Sequence, residues 1–289
     1  MIPRWLLKIK LIAIATIVIV IFLNHNVLKA ASRLDVQQFK RRGEWLFALR
    51  EVKEFSGRGE RLFALTEKSI DNSLLPVAKV HPLPTSLAKW EDKNNQEDYF
   101  NQIQPTPLGY LIWSQFPIKI YIAKPTLSPD NSANSIRQQQ WIEAVRKAIA
   151  EWSIYLPLQE TENPEIADIN IARSTPERKV KLDPATGLYD IPRAITAQTS
   201  YQFYWQDSKI LSHNMTIKVS PSLSQTAILA ATRHELGHAL GIWGHSPHQN
   251  DALYFSQVRD FPPISARDIN TLKKIYQQPT KLGWIKFSS

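Results

Sequence analysis

The stretch His234-Glu235-Leu236-Gly237-His238-Ala239-Leu240-Gly241-Ile242-Trp243-Gly244-His245 constrains this chain more than any other. Side chains four apart share one face of a helix, so His234 and His238 aim their imidazoles at a single point. Glu235 sits roughly 100° further round at 3.6 residues per turn. It is off the line of a third ligand but within reach of a water held by the same metal, which is the place of a general base. Gly241 ends the helix with a residue that tolerates a left-handed backbone, so the chain turns back and brings His245 in from below. Three imidazoles and one open position form the donor set of a catalytic Zn2+ ion, whereas four protein ligands mark a structural one. Two buried core histidines on an amphipathic helix also give His-x-x-x-His; Gly241 and His245 carry the pattern beyond that reading.

Composition excludes several classes of chemistry. There is no cysteine, so disulfides, thiolate-held metals and thiol nucleophiles are absent. The hydrophobic share of 43% allows a full core. The net charge of +9 is concentrated towards the N-terminus, because residues 106–279 carry 17 basic against 15 acidic side chains. The basic bias therefore belongs to the N-terminal part, and no nucleic-acid partner is expected.

Arg4, Lys8 and Lys10 precede the unbroken apolar run Leu11 to Leu23, which reads as an export signal. Residues 1–31 are expected to be either a retained membrane anchor or a signal peptide cut near Ala30 or Ala31. The rest of the chain then lies outside the cytoplasm, membrane-anchored or secreted. In residues 32–75, Arg42-Gly43-Glu44-Trp45-Leu46-Phe47-Ala48-Leu49 returns as Arg58-Gly59-Glu60-Arg61-Leu62-Phe63-Ala64-Leu65. The repeat reads as a helical stalk, and a propeptide-like role is the alternative. Prolines at 76, 82, 84, 105 and 107 mark residues 76–107 as a Pro-rich linker. A domain over residues 108–279 and a tail over 280–289 follow.

Within that domain, residues 117–123 alternate as a strand and residues 135–155 carry apolar side chains at helical spacing. Strands are expected again at 167–172, 195–204 and 214–220. The metal-bearing helix begins at Ser220-Pro221 or Ser224. Residues 252–255 form a turn, and Ser265 caps a closing helix that runs to Tyr276 with Asp268 in its first turn. The class is α+β.

The His234–His245 stretch, the strand Ala167-Asp168-Ile169-Asn170-Ile171 and the ending Ile264-Ser265-Ala266-Arg267-Asp268-Ile269 together resemble the metzincin metallopeptidases, most closely the matrixin branch. The resemblance covers about residues 108–279. It implies a twisted mixed β-sheet with one long helix and one active-site helix. It also implies a zinc endopeptidase that binds a protein or peptide extended along a sheet edge; a monomer is expected. The alternative is a non-catalytic exported binding domain that keeps the fold.

The chain lacks the cysteine switch and the histidine-rich structural zinc loop of vertebrate matrixins, and it departs from the family pattern at two places within the site. Three residues, Ile242, Trp243 and Gly244, separate the glycine from the third histidine where the family has two. A bulge at Gly244 would restore the direction of His245, with His248 and Asp251 as competing third ligands. The turn Ala252-Leu253-Tyr254-Phe255 carries Tyr254 where the family places a methionine beneath the metal. Tyr254 is then either a packing pedestal or a phenol that reaches the oxyanion.

Overall fold

Alternation of apolar and polar residues writes the central strands. In a computed structural model the sequences Ile-Lys-Ile-Tyr-Ile and Ile-Asn-Ile-Ala-Arg form β1 (Ile118–Ile122) and β3 (Ile169–Arg173), each burying every second side chain. The structure describes residues 75–123, 132–177, 181–182, 189–190, 196–207, 209–256, 258 and 260–286. β2 (Leu158–Thr161), β6 (Ala197–Gln206) and β7 (Ile210–Val219) complete a five-stranded sheet in the order β2-β1-β3-β7-β6. β2, β1, β3 and β7 run parallel; only β6 is antiparallel, paired with β7 through a tight turn. A small separate ladder joins β4 (Lys181–Leu182) to β5 (Tyr189–Asp190).

A single-turn helix, α1 (Thr85–Ala88), precedes the sheet. Between β1 and β2 runs α2 (Ala133–Ser153), capped by Ser132, whose side chain accepts from the Ser135 amide. Its buried stripe of Trp141, Val145, Ala148 and Trp152 follows the helical period. Each of the two indoles removes on the order of 200 Å² from water, about 5 kcal/mol apiece before entropy is counted. α3 (Gln225–Ala239) packs on α2 and on β6 and β7, and α4 (Ala266–Tyr276) closes the chain's core. The expected mixed α+β class with a long helix and a second, motif-bearing helix is what the described residues form.

The ends of the domain differ from expectation. Residues 76–107 are not a free linker: Leu87, Tyr99 and Ile103 are buried in the same core as the sheet. Prolines punctuate this stretch, but the apolar residues between them find partners. The tail is likewise incorporated, with Thr280 and Leu282 buried and Lys79 paired antiparallel to Thr280. β2 was not expected, because Leu-Gln-Glu-Thr is an edge strand with little to bury. The expected export helix of residues 1–31 and the repeat within 32–75 lie outside the described residues, Leu75 excepted. Among the described residues no helix is long and apolar enough to cross a membrane.

Candidate metal centre

α3 begins at Ser224, whose Oγ accepts from the Ala227 amide at 3.3 Å. It ends with two bonds that satisfy its last carbonyls: Gly241 N to His238 O at 3.1 Å and Ile242 N to Gly237 O at 3.0 Å. This is a Schellman ending, and Gly241 has the positive φ (127°) that it requires. A Cβ there would also stand 2.6 Å from the Leu111 carbonyl. Two further orphan carbonyls are taken by distant aromatics: Trp113 Nε1 donates to Ala239 O at 2.9 Å and Tyr276 Oη to Leu240 O at 3.0 Å. The helix therefore stops at a fixed place with both ligating residues on one face.

His234, His238 and His245 come together, with their ligand atoms all within 4.8 Å of one another. His234 Nδ1 lies 2.8 Å from Ala252 O and His238 Nδ1 2.7 Å from Ile242 O, so each carries its proton on Nδ1. Their Nε2 atoms then face each other as bare acceptors, 3.1 Å apart. Two lone pairs at that distance repel unless a cation lies between them. Tetrahedral zinc with nitrogens at about 2.05 Å would set them about 3.3 Å apart. The donor set fits zinc, and the outer carbonyls orient it as metal-bound imidazoles require. Burial, reinforced by the neighbouring His234, pushes the His245 imidazole down to about 4 and that of His238 well below its ordinary value, which favours the neutral ligating form.

His245 reaches the cluster although its spacer is one residue longer than the family pattern. Trp243 N bonds Gly241 O at 2.8 Å and Gly244 N bonds Ile242 O at 3.0 Å, two successive contractions that take up the extra residue. Gly244 is needed for space and not for a left-handed bulge: a Cβ there would meet Gln102 O at 2.3 Å. Of the competing ligands, His248 is exposed. Asp251 is fully buried and engaged by Arg267 through two bonds, at 2.6 and 3.0 Å, and by Ser246 Oγ. Burial alone would raise the Asp251 carboxyl, but the bonds from Arg267 and Ser246 outweigh it and hold the group below its ordinary value.

Glu235 is buried beside the cluster, and its Oε2 accepts from Thr199 Oγ1 on β6 at 2.6 Å. Burial raises its carboxyl, against the opposing pull of His234 and the Thr199 bond. Thr199 carries no sequence signal, since a threonine on an edge strand is ordinary. Arg233 was also unforeseen. It is buried, grips Glu151 of α2 through two bonds at 2.6 and 3.0 Å, and donates to Pro262 O at 2.7 Å, fixing the turn of α3 that bears His234. Tyr254 lies in the turn after Asp251 with its ring 4.5 Å from Phe255. Leu253 is the residue against α3, close enough that a Cβ on Gly237 would fall 2.5 Å from its Cδ2.

Three imidazoles with converging ring nitrogens and a buried carboxylate beside them are the parts of metal-assisted hydrolysis. No curated protein matches the chain's sequence. The model of one family, described as matrixin, matches residues 124–277, more than half of the 289 residues and all of the site. The chain therefore belongs to the matrixin family of zinc metallopeptidases.

Proposed function

We propose that the chain is a zinc-dependent endopeptidase that hydrolyses peptide bonds of proteins outside the cytoplasm. The observation that carries this reading is the pair of Nε2 atoms of His234 and His238 3.1 Å apart with the carboxylate of Glu235 buried beside them. His234, His238 and His245 would hold the metal. A zinc ion there supplies Lewis acidity, making an attacking water more acidic and polarising the scissile carbonyl.

Glu235 does the proton work. Thr199 occupies Oε2, which leaves Oε1 to take the proton of the attacking water and deliver it to the leaving amine. The raised affinity of the buried carboxyl for a proton suits both halves of that transfer. β6 is the outermost strand of the sheet among the described residues, and a strand in that place would bind an extended substrate by main-chain pairing. Tyr254 is read as packing beneath the site, so Tyr254→Phe should keep turnover within about twofold, where a phenol reaching the oxyanion would lose more than about tenfold.

Delivery outside the cytoplasm rests on residues 1–31, with Arg4, Lys8 and Lys10 retained inside. Mass spectrometry of the mature N-terminus in membrane and medium fractions distinguishes a retained anchor from a cleaved signal. The enzymatic reading is tested on purified protein by zinc stoichiometry and by cleavage of unfolded casein with and without a chelator. One zinc per chain and chelator-sensitive cleavage are expected. Zinc-bound protein that cleaves nothing would point to a binding domain that keeps the fold.

A further inference from the structure

Residues 99–104 lie upstream of the family-matching region, yet they touch both ends of the ligand set. Tyr99 is buried, and its Oη donates to Asp268 Oδ1 at 2.5 Å while its amide donates to Thr271 Oγ1 at 3.0 Å. The second oxygen of Asp268 accepts from Ser265 N at 2.8 Å and from Ala252 N at 3.0 Å. The other face of that same residue, Ala252 O, is the acceptor for His234 Nδ1. An unbroken run of hydrogen bonds thus leads from the Tyr99 hydroxyl to an imidazole of the metal centre. At the other end, Gln104 N donates to Trp243 O at 3.0 Å, and the Gln102 carbonyl fills the space a Gly244 side chain would need. Both contacts fall on the three-residue spacer that precedes His245.

We infer that residues 99–104 are a built-in brace of the metal centre: Tyr99 sets the His234 ring through Asp268 and Ala252, and the Gln102–Gln104 backbone sets the loop that presents His245. The inference rests on the reading of the three histidines as zinc ligands. Tyr99 and Gln104 touch neither metal nor substrate; they are positioning residues. The physical need is specific to this chain. A lengthened spacer has one more residue of backbone freedom, and a loop that must deliver a ligand to a fixed point loses affinity for every alternative it samples. The Gln104 bond to Trp243 and the Gln102 backbone packed against Gly244 restrict those alternatives. The metal centre is therefore assembled from two stretches of sequence, one on either side of the long helix α2.

The test compares zinc affinity with folding in Tyr99→Phe and Gln104→Pro. The first removes one hydroxyl. The second removes the amide that bonds Trp243, and it suits the chain because Ile103 is already extended (φ −88°, ψ 129°), as a residue before proline must be. The intrinsic zinc Kd is measured by chelator competition far below the melting temperature, where a merely structural role leaves it unmoved, and the visible spectrum of the Co2+-loaded protein reports ligand geometry. Each variant is expected to weaken zinc by about tenfold, the lower end of what outer partners of metal-bound histidines contribute, and to shift the Co2+ bands. Folded variants with the parent's Kd within about twofold and an unchanged spectrum would overturn the brace. If Tyr99→Phe does not fold, Gln104→Pro decides alone. A parent protein that binds no zinc overturns the underlying ligand assignment, and the brace with it.

Discussion

The two halves of the metal centre are held by different means. His234, Glu235 and His238 are placed by one helix, where a spacing of four residues and a Schellman ending leave almost nothing to decide. His245 and the turn from Asp251 to Tyr254 have no such frame. Their positions depend on Gln102 and Gln104 from upstream and on Arg267 and Asp268 from α4. A local frame resists change elsewhere in the molecule, whereas a borrowed frame transmits it. Substitutions remote from the site should therefore move the loop half most, and reach the helical half only through the His234 ring, which Ala252 and Asp268 tie to Tyr99.

The largest effect expected belongs to the helical half and is purely chemical. Glu235→Gln keeps the shape of the side chain and a partner for Thr199 but cannot carry the proton. Turnover of a peptide substrate should fall by about 10²–10⁴-fold with zinc stoichiometry unchanged. Loss of zinc together with activity would mean that even this half is not self-sufficient, and the contrast would fail.

Two glycines make the contrast directly measurable at the next scale. A Cβ on Gly237 would meet the side chain of Leu253, which can adjust, at the usual overpacking cost of about 1–3 kcal/mol. A Cβ on Gly244 would meet the backbone of Gln102, which cannot turn aside. Gly237→Ala should lower the denaturation midpoint more than it weakens zinc. Gly244→Ala should weaken zinc, by about 10–100-fold, more than it lowers the midpoint, because the loop must shift and carry His245 with it. The reverse order in chelator competition and urea titration would break the distinction.

The same division explains what could be read from the chain. The placing of His234, Glu235 and His238 on one helix was legible because helical periodicity is a local rule, and β1, β3 and β7 because their apolar residues alternate. His245 could not be separated from His248 and Asp251, since the choice turns on two short backbone bonds in the spacer and on Arg267, sixteen residues after Asp251. Thr199 and Tyr99 were invisible for a similar reason: each matters only through a partner 36 or 169 residues away. The stretch 76–107 was misread as a linker because prolines indicate where a chain bends and say nothing of what Leu87 and Ile103 bury against.

The smallest effect separates the supports of the two halves by pH. Behind the helical half, His213 on β7 is buried, stacked 4.0 Å from Trp113, whose indole holds the last turn of α3. Its Nε2 has no hydrogen-bond partner among the described residues, and burial lowers the imidazole to about 3. The unfolded chain takes up this proton near 6.5 and the folded chain does not, so the unfolded state binds one more proton as pH falls from 6.5 towards 3. Stability is full above that window and should decline within it by about 1.4 kcal/mol per pH unit for this one group. The loop half has the opposite kind of support: Asp251, held low by Arg267 and Ser246, contributes above the usual carboxylate value near 4 and fails only below it. In urea titrations of the metal-free protein, His213→Phe should flatten the decline between pH 6 and 4 relative to the parent, the ligand histidines common to both cancelling in the difference. Arg267→Met leaves Asp251 to burial, which raises its carboxyl, so the variant should lose the parent's decline below about pH 4 and be destabilised throughout the interval above it. A His213→Phe profile parallel to the parent's would show that the helical half does not lean on a neutral imidazole, and its self-sufficiency would then extend to acid.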